Sequence, residues 1–276
     1  MGWRGSGRGS GVRVRVLAAA LLALCAAACG PSTASDAPDG GASASASRAG
    51  FSVRYEPPAA PDRTDAAFLR GHRILERASA DLAGFVPAER LGPGVEVVGR
   101  SCGGEGSGYA PDARRIEVCY DDVAQERALF AGAGARPADE EVEAVLTETA
   151  FHEAGHALAD VLGLDLGDRA EEDAADQFAA LMLIRRGAAG ERQLRAAARE
   201  YELSAAGDAD TASGAGARDE HSSDLDRATR HLCYLYGADP ARNTDLVGTR
   251  LLSRERAGRC GQEWRGVREA WQKRLG

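Results

Sequence analysis

Two histidines and a glutamate stand close together near the middle of the chain, as His152-Glu153-Ala154-Gly155-His156. In a helix, residues four apart project from one side, so both imidazoles can reach the same point. Imidazole nitrogens bind zinc at about 2.0–2.1 Å, and such a pair supplies two of them without bending the backbone. Glu153 lies about 100° around the helix from His152, beside the metal rather than on it. The spacing predicts a zinc site with His152 and His156 as ligands and Glu153 as catalytic base.

The acidic run that follows offers a third ligand, which a catalytic zinc needs together with one open coordination position. In a helix that starts near Asp168, Glu172 and Asp176 share a face. We expect Glu172 to bind the metal and Asp176 to accept the second ring N–H of a ligating histidine. Glu171 and Asp173 are alternative ligands, and a solvated helix start is the simpler interpretation of the whole run.

A predicted helix carries the two histidines inward. It begins at Pro137 with an acidic first turn and runs to about Leu162, and Val142, Val145 and Thr149 form an apolar stripe that the histidines continue. The alternative is a pair of histidines that are merely buried and hydrogen-bonded. Burying both beside a glutamate is costly without a metal or polar partners, which favours the metal site.

The amino-terminal segment has the pattern of an export signal. Four arginines precede an apolar run from Val16 to Ala28, which is too short to span a bilayer comfortably. We expect residues 1–29 to form a signal peptide in which Cys29 ends a possible lipoprotein cleavage box and carries lipid; a plain cleaved signal is the alternative. Residues 30–50 are rich in Gly, Ser, Ala and Pro and predict a disordered linker, so the domain covers residues 51–276.

Cysteine content and charge restrict the classes of function. Removal of the signal leaves 30 basic and 42 acidic residues, a net charge of −12, which repels nucleic acid and argues against its binding.

Four cysteines remain in an exported body, and two disulfides are expected. Three pairings are possible. We favour Cys102–Cys119 and Cys233–Cys260, which close short loops, over a four-cysteine zinc site, because the sequence has no CxxC pair.

The remaining patterns indicate a mainly helical α+β domain with a small antiparallel sheet packed on the histidine-bearing helix. Alternating residues predict strands at 51–55, 95–98 and 115–120, whereas residues 103–114 are Gly-rich and predict a turn or loop. The strand at 115–120 is our candidate for binding a peptide by addition at the sheet edge. Residues 204–218 have low complexity and predict a flexible surface insertion.

The two histidines followed by Glu172 and Asp176 resemble the gluzincin pattern, with a shorter spacing than in thermolysin-like members. The chain is also similar to a family of exported bacterial metallopeptidase-like proteins. The further segments that carry this similarity are Asp219-Glu220-His221-Ser222, Cys233-Tyr234-Leu235-Tyr236-Gly237, Cys260 and the helix around Trp271.

The resemblance covers residues 51–276 and implies a single metallopeptidase-like domain that uses Zn²⁺ to hydrolyse peptide or protein substrates. It draws attention to His221, which would bind the oxyanion formed during catalysis; a surface histidine is the alternative. We expect an exported protein, either a bacterial cell-envelope lipoprotein or secreted, that meets the membrane only through a lipid anchor. The other function considered is a non-enzymatic zinc- or peptide-binding envelope lipoprotein, although a structural zinc is normally closed by four protein ligands.

Overall fold

A computed structural model describes residues 50–134, 139–211 and 222–276. The four strands are β1 (Phe51–Tyr55), β2 (Val95–Arg100), β3 (Gly108–Ala110) and β4 (Arg115–Cys119). The eight helices of this part of the chain are α1 (Arg63–Gly71), α2 (Ile74–Ala83), α3 (Asp122–Gly132), α4 (Asp139–Val161), α5 (Asp168–Arg185), α6 (Ala188–Thr211), α7 (Asp224–Ala238) and α8 (Arg254–Leu275). The predicted α+β class, mainly helical with a small sheet, is confirmed.

Several predicted features lie outside the described residues. They are the signal peptide with Cys29, the linker as far as residue 49, Pro137 and His221. Within the three described ranges, no helix is both long and apolar enough to cross a lipid bilayer.

The sheet is mixed, which corrects the antiparallel sheet that was predicted. Its strand order is β1-β2-β4-β3, with β1–β2 and β2–β4 parallel and β3–β4 alone antiparallel. The helices α1 and α2 carry the chain from β1 back to the start of β2, as a parallel pair requires. The strand β3 falls in the segment predicted as a loop. Because β3 pairs with the outer side of β4, the prediction that strand 115–120 offers an open edge is wrong, and β3 is the edge strand on that side of the sheet.

The helix α4 lies at the centre of the fold. It packs on α5 and α6 on one side and on β3 and β4 on the other. Its buried apolar side chains include Val142, Leu146, Phe151 and Leu158, so burial rather than intrinsic propensity fixes its position. The helix α6 also continues to Thr211. The prediction of a flexible insertion is therefore wrong for residues 204–211, where alanines favour helix.

Two disulfides close the loops that the sequence favoured. The Cys102–Cys119 bond joins the segment after β2 to the end of β4, across a Cα–Cα distance of 5.5 Å. It encloses the loop that contains β3. The Cys233–Cys260 bond ties α7 to α8 across 5.0 Å. Loop closure of this size stabilises a domain by about 3 kcal/mol per bond, and the first bond also restrains the edge strand.

Candidate metal centre

The helices α4 and α5 approach closely at Gly155, inside the histidine motif. A Cβ atom placed on Gly155 would lie 2.6 Å from the Cα of Ala175 and 3.0 Å from its Cβ. No real side chain tolerates a backbone atom so near. Glycine at this position therefore allows the acidic residues of α5 to reach the histidines of α4.

Potential ligand atoms of three residues converge where the two helices meet. The Nε2 atoms of His152 and His156 are 3.1 Å apart. The two carboxylate oxygens of Glu172 face one ring each, with Oε2 3.3 Å from the Nε2 of His152 and Oε1 3.4 Å from that of His156. Atoms bound tetrahedrally to one zinc at about 2.0–2.1 Å are separated by about 3.3–3.4 Å. One ligand atom from each residue lies within 4.8 Å of the other two, so the group fits a single ion held by His152, His156 and Glu172.

Asp176 and Arg227 hold His152 on the buried side of the centre. The Nδ1 of His152 lies 3.0 Å from Oδ1 of Asp176. Arg227 donates one hydrogen bond to each oxygen of the same carboxylate, at 2.6 Å to Oδ1 and 3.0 Å to Oδ2. Burial alone would raise the pKa of Asp176, but hydrogen bonds from His152 and Arg227 hold it far below its usual range. Asp176 therefore stays ionised and fixes the orientation of the ring.

Glu171 holds His156 on the side nearer to solvent. The Nδ1 of His156 lies 2.9 Å from a carboxylate oxygen of Glu171, whose side chain is 35% exposed against 3% for that of Asp176. The sequence offered Glu171 only as an alternative ligand. The sequence could have indicated this role for Glu171, because a second imidazole that binds a metal also needs an acceptor for its remaining N–H. Asp173 points elsewhere, to Ser222 and Arg230.

The hydrogen bonds of the two rings determine which atoms are left to face each other. A carboxylate only accepts, so each Nδ1 carries the proton in the neutral ring and each Nε2 presents a lone pair. Two such lone pairs and a carboxylate then meet at one point, an arrangement that positive charge stabilises. Burial lowers the pKa of His152, but hydrogen bonds to Asp176 and Glu172 outweigh it and raise the pKa to about 10. The chemistry of the donors thus fits a divalent cation.

Glu153 lines a cleft of about 630 Å³ that opens onto the three ligand atoms. The cleft runs between β3 and the helices α4 and α5, and Tyr109 of β3 donates a hydrogen bond of 2.7 Å to Asp160 near the end of α4. Glu153 is only 7% exposed. Burial raises its pKa, although the neighbouring histidines partly oppose this. A buried carboxylate with a raised pKa suits proton transfer near neutral pH.

The remaining histidines of the described chain lie away from the cleft. His72 contacts Glu143 at 2.9 Å on the surface side of α4. His231 is fully buried and lies 3.0 Å from Glu148. Neither Arg227 nor this His231–Glu148 pair was found from the sequence, because partners 51 and 83 residues apart leave no local pattern.

The comparison with protein families agrees with this geometry. The model of the family DUF4344, described as "Putative metallopeptidase", matches residues 55–275. The chain belongs to this family. Membership in DUF4344 supports a peptidase that depends on a metal ion, and the match covers every described residue of the centre. Comparison with curated proteins and with solved structures gives no match.

Proposed function

We propose that the protein is a zinc-dependent peptidase. The observation that carries the proposal is the convergence of His152, His156 and Glu172: the two Nε2 atoms are 3.1 Å apart, and the two oxygens of Glu172 lie 3.3 and 3.4 Å from them. Membership in a metallopeptidase-like family supports the same activity. Three protein ligands with a cleft beside them are typical of a catalytic zinc, whereas a structural site is normally closed by four.

Each residue of the centre has a chemical role in this proposal. When bound, zinc supplies Lewis acidity that polarises a peptide carbonyl and makes water easier to deprotonate. Glu153 takes the proton of the attacking water and passes it to the leaving amide nitrogen. Asp176 and Glu171 hold the protons on the Nδ1 atoms of the histidines, so that both Nε2 atoms remain directed at the metal.

The edge strand β3 is the proposed support for the peptide backbone. It ends the sheet, and its residues Gly108 and Tyr109 line the cleft opposite α4. An extended peptide added to such an edge gains main-chain hydrogen bonds with little dependence on its sequence. The hydrogen bond from Tyr109 to Asp160 and the Cys102–Cys119 bond restrain the strand on either side. Substrate specificity must then come from side-chain pockets.

We also propose that the protein is exported and that Cys29 carries a lipid. What supports export is the arginine-rich and then apolar amino-terminal segment, together with two disulfides, which persist in oxidising compartments. His221 as an oxyanion-binding residue remains a prediction from the family resemblance. Measuring the mass of the mature amino terminus would distinguish a lipidated Cys29 from a plain cleaved signal.

The experiment that tests the peptidase combines metal content with turnover. The purified chain should bind one zinc and hydrolyse members of a mixed peptide library, and a chelator should abolish hydrolysis. The Glu153→Gln variant should retain zinc but lose about 10²–10⁴-fold in rate, the usual contribution of a general base. His156→Gln should lose zinc, whereas the control His72→Gln should keep both zinc and activity.

Two outcomes would contradict the proposal. Hydrolysis that persists unchanged in Glu153→Gln would come from a contaminant. Stoichiometric zinc without turnover of any peptide would favour the non-enzymatic zinc-binding alternative.

A further inference from the structure

A second, smaller cavity lies behind the histidine motif. It has a volume of about 200 Å³ and is lined by α3, α4, α6 and α7. His152 and Glu153 line both this cavity and the cleft, so the two spaces adjoin at the catalytic residues. Four carboxylates line it, from Glu126, Glu148, Glu153 and Glu200. We call it the acidic chamber.

Arg227 is the one arginine or lysine among the described residues that line the acidic chamber, and it directs two hydrogen bonds to Asp176, outside the chamber. Its charge acts on Glu200 from a distance and lowers the pKa of that residue. Glu148 has its own partner in the buried His231, at 3.0 Å. Glu153 is assigned to catalysis. Two carboxylates of the chamber, Glu126 and Glu200, therefore make no ion pair with another described residue.

Glu126 is the strongest sign of a missing partner. Glu126 is only 7% exposed, and its buried Oε2 has no hydrogen-bond partner among the described residues. A buried polar atom of this kind costs about 1–3 kcal/mol unless something satisfies it. Burial and the charges of Asp122 and Glu148 raise the pKa of Glu126 to about 7. Burial and the charges of Glu126 and Glu148 raise that of Glu200 to about 9.

The size and spacing of the acidic chamber decide which cation suits it. In the described chain, Glu148 and His152 of the chamber form a group with Asp176 whose ligand atoms lie within 4.8 Å of one another, but Asp176 is already bound by Arg227. No group of this kind includes Glu126 or Glu200. This argues against a compact metal ion. A cavity of about 200 Å³ is also smaller than the roughly 300–1,000 Å³ typical of whole small-molecule ligands. It is suited to one long side chain that ends in a cation.

We propose that the acidic chamber binds a lysine or arginine side chain of the peptide that lies in the cleft, and so directs the enzyme toward basic residues near the scissile bond. The inference rests on the proposed peptidase function. A lysine or arginine stem would enter past Glu153 and place its charged end between Glu126 and Glu200. Hydrogen bonds between charged partners are stronger than neutral ones, so an uncharged side chain of equal length binds less well.

The test uses a fluorogenic Ala/Gly peptide with one variable central residue: Lys, Arg, norleucine or Glu. For the zinc-loaded protein, kcat/KM for the Lys and Arg peptides should exceed that for the norleucine peptide by about tenfold or more. Glu126→Gln and Glu200→Gln should each reduce this ratio by about tenfold while leaving kcat/KM for the norleucine peptide within about twofold. Glu269→Gln, an exposed position on α8, removes the same charge and should not change the ratio.

A binding measurement separates the inference from the proposed chemistry. Calorimetry on the chelator-treated wild type should give tighter binding of the Lys peptide than of the norleucine peptide, and Glu126→Gln should remove the difference. Chelator-sensitive, Glu153-dependent hydrolysis without a preference for basic peptides would overturn the chamber assignment and leave the peptidase intact. Absence of hydrolysis, with the Lys preference in binding retained, would instead overturn the peptidase. Equal binding of both peptides by the wild type would overturn the chamber in either case.

Discussion

At the metal centre, Asp176 lies between His152 and Arg227, and each of its oxygens accepts a hydrogen bond. In the acidic chamber, Glu126 presents a buried oxygen that has no such partner among the described residues. Both carboxylates are almost fully buried, at 2% and 7% exposure. Their pKa values nevertheless move in opposite directions, downward for Asp176 and upward to about 7 for Glu126.

This difference shows that burial alone does not determine what a carboxylate does. Removal from water disfavours the charged form in both places. At Asp176, a guanidinium and an imidazole reverse that effect, and the charge becomes a fixed part of the scaffold. At Glu126, the effect is not reversed, so the residue retains an unused capacity to bind positive charge. The two regions can therefore be perturbed separately.

The largest expected effect comes from Asp176→Asn at the metal centre. The amide leaves the charge of Arg227 buried without its counter-ion, and breaking a buried pair in this way costs about 3–5 kcal/mol of stability. The variant should also bind zinc about 10–100-fold more weakly, because His152 loses its charged acceptor. Urea unfolding and zinc competition with a chelator measure the two effects.

Glu171→Gln is the matched comparison within the same site. Its side chain is 35% exposed and pairs only with His156 among the described contacts. Zinc affinity should fall by about tenfold, the lower end of the range for such partners, while stability should stay within about 0.5 kcal/mol. Equal losses of stability in Asp176→Asn and Glu171→Gln would contradict the distinction between the buried acceptor of His152 and the solvent-side acceptor of His156.

A further prediction changes the geometry of the metal centre without changing its charge. In Gly155→Ala, the new methyl group would lie 2.6 Å from the Cα of Ala175, so α5 must shift away from α4. We expect a loss of about 3 kcal/mol in the free energy of unfolding and weaker zinc binding. Gly266→Ala in α8 has open space around its Cβ and should stabilise by about 0.5–1 kcal/mol. Zinc affinity unchanged in Gly155→Ala would show that the close approach does not position the ligands.

The contrast between the two regions also explains what the sequence could predict. His152, His156 and Glu172 follow from helical periodicity, since each pair of positions within one helix has a fixed angular relation. The disulfide pairing was favoured because both loops are short. Glu172 was preferred to Glu171 and Asp173 because of the face it shares with Asp176, and the structure brings Glu172 to the two Nε2 atoms.

The features that were missed depend on contacts between distant segments. The direction of β1 and β2 is set by how α1 and α2 return the chain, and β3 is a three-residue strand in a Gly-rich segment. Residues 204–211 have the composition of a loop, but they extend a helix that is anchored by its packing. The acidic chamber draws Glu126, Glu148 and Glu200 from three different helices. No spacing within the sequence relates these three residues.

The effect expected in the acidic chamber appears only over a range of pH. The pKa of Glu126 is raised from 4.5 to about 7 on folding, so between these values the folded protein binds a proton that the unfolded chain releases. Stability of the wild type should therefore fall as pH rises from about 4.5 to 7. Glu126→Gln does not titrate and should gain relative to the wild type over this window, reaching about 3 kcal/mol above pH 8. Urea unfolding at pH 4.5 and pH 8 measures the gain, with Glu269→Gln as the exposed control. A variant less stable than the wild type at pH 8 would mean that Glu126 is already paired in the folded protein, and the contrast with Asp176 would be lost.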